Sequence, residues 1–133
     1  MTPPAVAAPH SSPYRCRTRW QSIRCAARGL ALMLRYEPNA RVHAGATVLA
    51  AVLGVLLHIR RMEWALLLVG IVSVWTAEAM NTALELLCDV ASPAFHPLVE
   101  RAKDVAAGAV LVTAFGALLL GALIFGPPLL RLL

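Results

Sequence analysis

Long apolar runs separated by short polar segments make up most of this chain. Residues 42–57 and 105–125 contain no charged side chain, and a third apolar run starts at Trp64 and leads into a polar stretch after residue 77. About 20 apolar residues cross the ~30 Å hydrocarbon core of a bilayer as an α-helix. The pattern predicts three transmembrane spans, at about residues 42–59, 64–88 and 105–125.

The segment before the first span has a different pattern. Apolar side chains recur at helical spacing over about residues 15–36, and most of the arginines lie off that stripe. This is typical of an amphipathic helix lying on an anionic membrane surface. Residues 1–13 hold four of the nine prolines and cannot bury enough apolar surface to fold, so they are predicted to be a disordered tail. Residues 14–133 then form one all-α membrane protein unit, with three transmembrane helices plus an N-terminal amphipathic surface helix.

Prolines and polar residues mark the expected helix ends. Residues 37–39, Glu-Pro-Asn, break the pattern before the first span, because proline disfavours helix at the preceding residue. Residues 126–128, Gly-Pro-Pro, are expected to close the third span. The second helix, counted from Trp64 to Asp89, would be ~39 Å long and must project from the membrane.

Composition and charge support a membrane location. The chain is 59% hydrophobic and 14% charged, whereas soluble proteins average ~45–50% and ~25%. The net charge of +5 could indicate nucleic acid, but the arginines crowd the first 41 residues, ahead of an apolar run, so we predict no nucleic-acid partner. Basic residues mark the cytoplasmic side of a membrane protein. Nine lie on the side of the N-terminus: Arg15, Arg17, Arg19, Arg24, Arg28, Arg35, Arg41, Arg101 and Lys103. Three lie on the other side, Arg60, Arg61 and Arg131, so the N-terminus is predicted to be cytoplasmic.

A polar column interrupts the second apolar run. Five of the seven acidic residues fall within residues 75–104, and Glu78, Asn81, Glu85 and Asp89 recur at spacings of three and four. At ~100° per residue these side chains share one helix face. Ionisable groups inside a membrane are costly and usually functional, so this face is the candidate site.

The residue types in the column indicate phosphoryl-transfer chemistry. Desolvation at the hydrocarbon edge disfavours a charged carboxylate, which makes Glu78 a candidate general base. Glu85, with Glu37 at the turn before the first span, offers hard oxygen ligands of the kind Mg²⁺ prefers when it also holds phosphates. Such a site predicts transfer from a cytosolic nucleotide to an alcohol in the membrane. Lys103 and Asp104 lie at the cytoplasmic end of the third helix, where Lys103 can act as a positive charge on a phosphate, and Asn81 can orient the metal-bound phosphate or the attacking hydroxyl.

Each of these residues also has a simpler interpretation. Glu78 is placed to be a polar clamp between helices, or the coupling carboxylate of a small oligomeric proton-coupled transporter. Glu85 and Asp89 fit a solvated helix end, and Lys103 with Asp104 fits an interfacial anchor. A transporter, however, does not need the polar column to continue out of the bilayer.

Three segments carry a family resemblance: ARGLALMLRYEPNARVH, EAMNTALELLCD and AKDVAAGAVL. They resemble the prokaryotic diacylglycerol kinase family, the small integral-membrane lipid kinases that include undecaprenol kinase. The resemblance covers roughly residues 23–125. It implies three transmembrane helices, a surface helix, a homotrimer with active sites between subunits, and Mg²⁺-ATP as the phosphate donor. It also implies a multi-pass protein of the bacterial inner (plasma) membrane, with a cytoplasmic N-terminus and active site.

The resemblance implies a role for each matching residue. Glu78 resembles the catalytic base, which also contacts the lipid substrate, and Glu37 and Glu85 resemble the metal ligands. The residues implied to contact ATP are Glu37, Asn81, Glu85, Asp89, His96, Lys103 and Asp104. Read without the resemblance, His96 is an ordinary loop histidine and His43 a polar residue at a helix start.

The lipid substrate is predicted from one short segment. Arg41, the implied lipid contact, and His43 are more similar to the undecaprenol kinase branch than to the diacylglycerol branch, which tends to carry an acid there. We therefore predict an ATP-dependent lipid kinase acting on undecaprenol or diacylglycerol, with undecaprenol favoured. A pseudoenzyme or membrane adaptor is a third possibility, and the intact polar set argues against it.

Overall fold

The computed structural model describes residues 18–131, and all regular structure within them is α-helical. Four helices follow in order: α1 (Arg19–Tyr36), α2 (Pro38–Leu56), α3 (Arg61–Ala91) and α4 (Pro97–Leu130). The last three are long and apolar enough to cross a membrane. The predicted fold class is confirmed. The tail predicted at residues 1–13 lies outside the described part of the chain.

The start of α1 and the junction between α1 and α2 follow local sequence signals. The Thr18 hydroxyl accepts a hydrogen bond from the Gln21 backbone N–H, and the Gln21 side chain accepts one from the Thr18 N–H. This capping box begins α1. A single extended residue, Glu37, then separates α1 from α2. Pro38 occupies the first position of α2, where its missing N–H would have no helical partner in any case.

Helices α3 and α4 are longer than the membrane is thick. With 31 and 34 residues, they extend for ~46 and ~51 Å, against a hydrocarbon core of ~30 Å. They pack against each other as an antiparallel pair joined by residues 92–96. Part of each helix must therefore extend beyond the hydrocarbon, and the polar residues of the pair concentrate at the joined ends, after residue 77 in α3 and before residue 105 in α4.

Helix α4 does not end at the Gly-Pro-Pro sequence of residues 126–128, where the third span was expected to close. Helix α4 continues through Pro127 and Pro128 to Leu130. The fixed φ of proline is compatible with a helix, and each ring removes only one backbone hydrogen bond. Membrane helices tolerate such losses because neighbouring groups can compensate for them. The Gly-Pro-Pro sequence therefore lies in the last turns of α4.

An apolar cluster packs α2, α3 and α4 together at the end remote from the acidic column. Ile59, Leu67, Ile124 and Phe125 are buried there, and Trp64 packs against them. Gly54 allows this packing, because a Cβ atom at that position would lie 2.7 Å from the Trp64 ring. The cluster fixes the three membrane helices at this end.

We expect Gly54→Ala to destabilise the protein by ~1–3 kcal/mol, the usual range for overpacking, because the Trp64 ring must move. Gly45→Ala in the same helix is the matched control, since a Cβ atom there meets nothing within 4 Å. The control should gain slightly from the better helix propensity of alanine. Thermal unfolding in detergent, followed by circular dichroism, compares the two, and equal melting temperatures would contradict the close contact.

Candidate active site

Two polar side chains are buried on α3. No other polar or charged side chain is buried among residues 18–131. Glu78 is 1% exposed and Asn81 is 7% exposed. The Asn81 amide donates a 2.8 Å hydrogen bond to Glu85 Oε1, one turn further along the helix. The structure thus brings together the inner three members of the predicted column. We call Glu78, Asn81 and Glu85 the carboxylate cluster.

Three buried polar atoms around this cluster have no hydrogen-bond partner within residues 18–131. They are Glu78 Oε2, Asn81 Oδ1 and Thr82 Oγ1. Buried polar atoms are nearly always hydrogen-bonded, because an unpaired one costs the desolvation of that group. Three such atoms within two turns of one helix mark this part of α3 as the candidate site.

His43 approaches the cluster from α2. Its Nε2 atom lies 3.9 Å from Glu78 Oε2, and the two side chains are 17% and 2% exposed. Sequence reasoning used this residue only as a mark of the undecaprenol kinase branch and gave it no contact or chemical role. The available signal was a histidine in the first turns of an otherwise uncharged span, but only the packing of α2 on α3 shows what it faces. His43 therefore joins the candidate site.

Glu37 also comes close to the cluster. It is half-buried at the α1–α2 junction, and both Glu37 and Glu85 lie near enough to act electrostatically on Glu78. In the part of the chain described, no three histidine, cysteine or acidic side chains converge on one metal-binding point. Mg²⁺ commonly takes only one or two carboxylates and completes its shell with water and phosphate oxygens. The donor set of Glu37 and Glu85 fits that use.

A second group of polar residues lies where α3 ends and α4 begins. An open pocket of about 330 Å³ is lined there by Asp89, His96, Lys103 and Asp104, among others. Lys103 forms a salt bridge with Asp89. His96 caps α4, its Nδ1 accepting a 3.2 Å hydrogen bond from the Leu98 N–H. Four of the residues predicted to contact ATP thus share one pocket, which we call the loop pocket.

Arg41 is the predicted site residue that the structure does not bring into either group. It is exposed in the first turns of α2 and does not line the loop pocket. Its assignment to the lipid substrate stays a prediction.

An apolar groove of about 380 Å³ runs between α2, α3 and α4. It begins at Val42 and His43, and its far end is lined by Leu53 and Phe125. His43 is the one ionisable residue in its lining. Within residues 18–131 the groove therefore has a polar end next to Glu78 and is apolar along most of its length. This shape is suited to an amphipathic molecule with a single polar end.

Comparison with known proteins identifies the family. The model of the prokaryotic diacylglycerol kinase family matches residues 24–125, about three quarters of the chain. The chain belongs to this family. It is 38% identical over 104 residues to an undecaprenol kinase from Bacillus subtilis, covering 78% of this chain and 85% of that protein. It is also 35% identical over 113 residues to a diacylglycerol kinase from Synechocystis, covering 84% of this chain and 65% of that protein.

Membership of the prokaryotic diacylglycerol kinase family confirms the resemblance read from the three sequence segments. The protein is a membrane-associated lipid kinase, an enzyme that phosphorylates a lipid alcohol. The carboxylate cluster, the loop pocket and the groove are the parts of this kinase on which a mechanism can be built.

Proposed function

We propose that this lipid kinase transfers the γ-phosphate of ATP to the hydroxyl of undecaprenol, with diacylglycerol as the second candidate acceptor. The observation that carries the proposal is Glu78, a buried carboxylate whose Oε2 has no partner within residues 18–131 and lies 3.9 Å from Nε2 of His43, the ionisable residue that lines one end of the apolar groove. Undecaprenol is favoured because the segment EPNARVH, with Arg41 followed two residues later by His43, is more similar to the undecaprenol kinase branch. The relatives carry both names, one an undecaprenol kinase and the other a diacylglycerol kinase.

In the proposed reaction Glu78 is the general base. The hydroxyl oxygen of the lipid forms a bond to the γ-phosphorus of ATP while the bond from that phosphorus to the β,γ-bridging oxygen breaks, releasing ADP. The hydroxyl proton passes to the Glu78 carboxylate. Burial suits Glu78 to this task because it excludes water, which would otherwise compete as the acceptor.

The nucleotide would lie along the polar face of α3, from the carboxylate cluster to the loop pocket. Glu37 and Glu85 would hold Mg²⁺, which supplies positive charge to neutralise the phosphates when bound. Asn81 has an unpaired Oδ1 in this region and is placed to orient the bound groups. Lys103 would contribute a second positive charge from the loop pocket.

The assay that tests this function is transfer of labelled γ-phosphate from ATP to a panel of lipid alcohols in mixed micelles. The panel includes undecaprenol, diacylglycerol and a soluble short-chain alcohol. We expect Mg²⁺-dependent labelling of undecaprenol above diacylglycerol. A clear preference for diacylglycerol would overturn the choice of acceptor, and no labelled lipid from any member would overturn the function.

We expect Lys103→Gln to raise the KM for ATP by ~10-fold, because a hydrogen bond to a charged group typically contributes ~1.5–3 kcal/mol. Lys103 is paired with Asp89, and phosphate oxygens would compete for the same ammonium group. Arg101→Gln is the matched control, since Arg101 is exposed two residues away and does not line the loop pocket. An unchanged KM for ATP in the Lys103 variant would remove this residue from the nucleotide site.

The functional unit is proposed to be a homotrimer. Glu78 is 1% exposed within a single chain, so its burial needs no neighbouring subunit. The proposal is supported by the family resemblance. Native mass spectrometry in a mild detergent that preserves activity should give three times the 14.2 kDa chain. An active monomer would exclude the trimer.

The location is proposed to be the bacterial inner membrane, with the N-terminus and the carboxylate cluster facing the cytoplasm. The distribution of basic residues supports this orientation. Exposed apolar side chains on α1, such as Trp20 at 70% and Ile23 at 59%, are suited to burial in the lipid surface.

A further inference from the structure

We propose that His43 positions the acceptor hydroxyl, donating a hydrogen bond from Nε2 to the hydroxyl oxygen while the hydroxyl proton points to Glu78 Oε2. This inference rests on the proposed function, since it concerns the lipid alcohol of that reaction. It assigns a role to a residue that sequence reasoning treated as a polar helix start.

The separation of the two side chains is the first support. His43 Nε2 and Glu78 Oε2 are 3.9 Å apart, which is too long for a direct hydrogen bond. One oxygen atom placed ~2.8 Å from each of them would bridge the gap with normal geometry. Glu78 Oε2 has no other hydrogen-bond partner within residues 18–131. A hydroxyl group, which both donates and accepts, satisfies both side chains at once.

A hydrogen-bonded link between α2 and α3 holds His43 in this place. The Thr47 hydroxyl donates a 2.8 Å hydrogen bond to the His43 backbone oxygen. The Trp75 indole N–H donates a 3.1 Å hydrogen bond to the same Thr47 hydroxyl. Trp75 is one helical turn from Glu78. The link therefore ties the turn of α2 that carries His43 to the turn of α3 that leads to Glu78.

The groove places the polar end of the lipid at His43. From His43 the groove follows α2 to Leu53, a distance of ~15 Å, about half of the ~30 Å hydrocarbon core. A hydrocarbon chain lying in it would occupy one leaflet, and its hydroxyl would lie at the polar end. The occupant is thus the acceptor lipid itself, and its hydroxyl meets His43, which lies between the groove lining and the buried Glu78 carboxylate.

His43 acts through the hydrogen bond that it donates from Nε2. It takes no proton in the reaction, because the hydroxyl proton passes to Glu78 as the bond from oxygen to phosphorus forms. Its contribution is to orient the hydroxyl oxygen. Its replacement should therefore lower kcat/KM for the lipid acceptor and leave the KM for ATP nearly unchanged.

Three variants test the assignment: His43→Leu, His43→Gln and His43→Asn. Leucine removes the donor at similar volume. Glutamine reaches the position of the ring Nε2 with its amide, whereas asparagine reaches only the position of Nδ1. We expect Leu and Asn each to lower kcat/KM for the lipid alcohol by ~10-fold, the loss of one well-placed hydrogen bond. Gln should keep within about threefold of the parent value, and the KM for ATP should stay within about twofold in all three.

His58→Asn is the matched control, because His58 follows the end of α2 that is remote from His43. Its φ is 51°, which asparagine tolerates. Full lipid activity in His43→Leu, or equal losses in Gln and Asn, would overturn the assignment. If His43→Leu does not fold, the comparison of Gln with Asn decides alone. If the parent protein phosphorylates no lipid alcohol, the proposed function has failed. An active parent with unimpaired variants contradicts only the role of His43.

Discussion

Glu78→Gln is expected to lower kcat by ~10²–10⁴-fold, the usual contribution of a general base. Glutamine nearly matches glutamate in size, so it should fit the same buried position on α3, where Glu78 is 1% exposed. Its amide cannot accept the hydroxyl proton. Turnover should therefore fall while helical content and nucleotide affinity stay unchanged, as measured by labelled phosphate transfer, circular dichroism and calorimetric titration of ATP.

Glu63→Gln is the matched control for this variant. Glu63 is also a glutamate of α3, but it lies at the opposite end, where it accepts hydrogen bonds from the Arg60 side chain and backbone. Its replacement should leave kcat within about twofold, since changes away from buried networks usually cost less than ~0.5 kcal/mol. Activity of Glu78→Gln above a tenth of the parent value would rule Glu78 out as the base.

The fold could be predicted from the sequence because membrane helices leave a strong signal. Charge-free runs as long as residues 105–125 have few folds available, since a bilayer requires every backbone polar group to be paired within the segment. The face of α3 that carries Glu78, Asn81 and Glu85 could also be predicted, because it depends only on helical periodicity. The buried positions of Glu78 and Asn81 agree with that prediction.

Features that depend on contacts between helices could not be predicted in the same way. The approach of His43 to Glu78 requires the rotation of α2 relative to α3, which the Trp75–Thr47 hydrogen bond helps to set. Thr82 was not predicted to belong to the site, although it follows Glu78 by four residues. The reason is that a threonine hydroxyl in a helix usually bonds to a backbone carbonyl oxygen of the preceding turn. The continuation of α4 through Pro127 was missed because proline is a strong but not absolute helix breaker.

The division of the polar residues into two groups also emerged only from the structure. In sequence, Asp89 continues the same helix face as Glu85, so all four members of the column were expected to act together. The structure pairs Asp89 with Lys103 of α4 instead, while Glu85 pairs with Asn81. The polar face of α3 thus has an inner end suited to the reacting groups and an outer end suited to the rest of the nucleotide.

We expect Glu85→Gln, at the inner end of this face, to change the Mg²⁺ requirement of the enzyme. Glutamine keeps the side-chain oxygen that accepts the 2.8 Å hydrogen bond from Asn81, so the local structure should survive while the negative charge is lost. The Mg²⁺ concentration for half-maximal activity should rise by at least ~10-fold, the scale of loss when a group supporting a metal site is removed. Glu37→Gln should act in the same direction, because both glutamates lie near Glu78.

A Mg²⁺ titration at saturating ATP separates this effect from a general loss of activity. Activity of Glu85→Gln should recover substantially at high Mg²⁺, since weaker binding can be offset by concentration, whereas Glu78→Gln should not recover because its defect is in proton transfer. Glu63→Gln, which changes only the opposite end of α3, should give the parent titration curve. If Glu85→Gln and Glu37→Gln both match that curve, neither residue binds the metal, and the carboxylates near Glu78 serve only to shape its electrostatic surroundings.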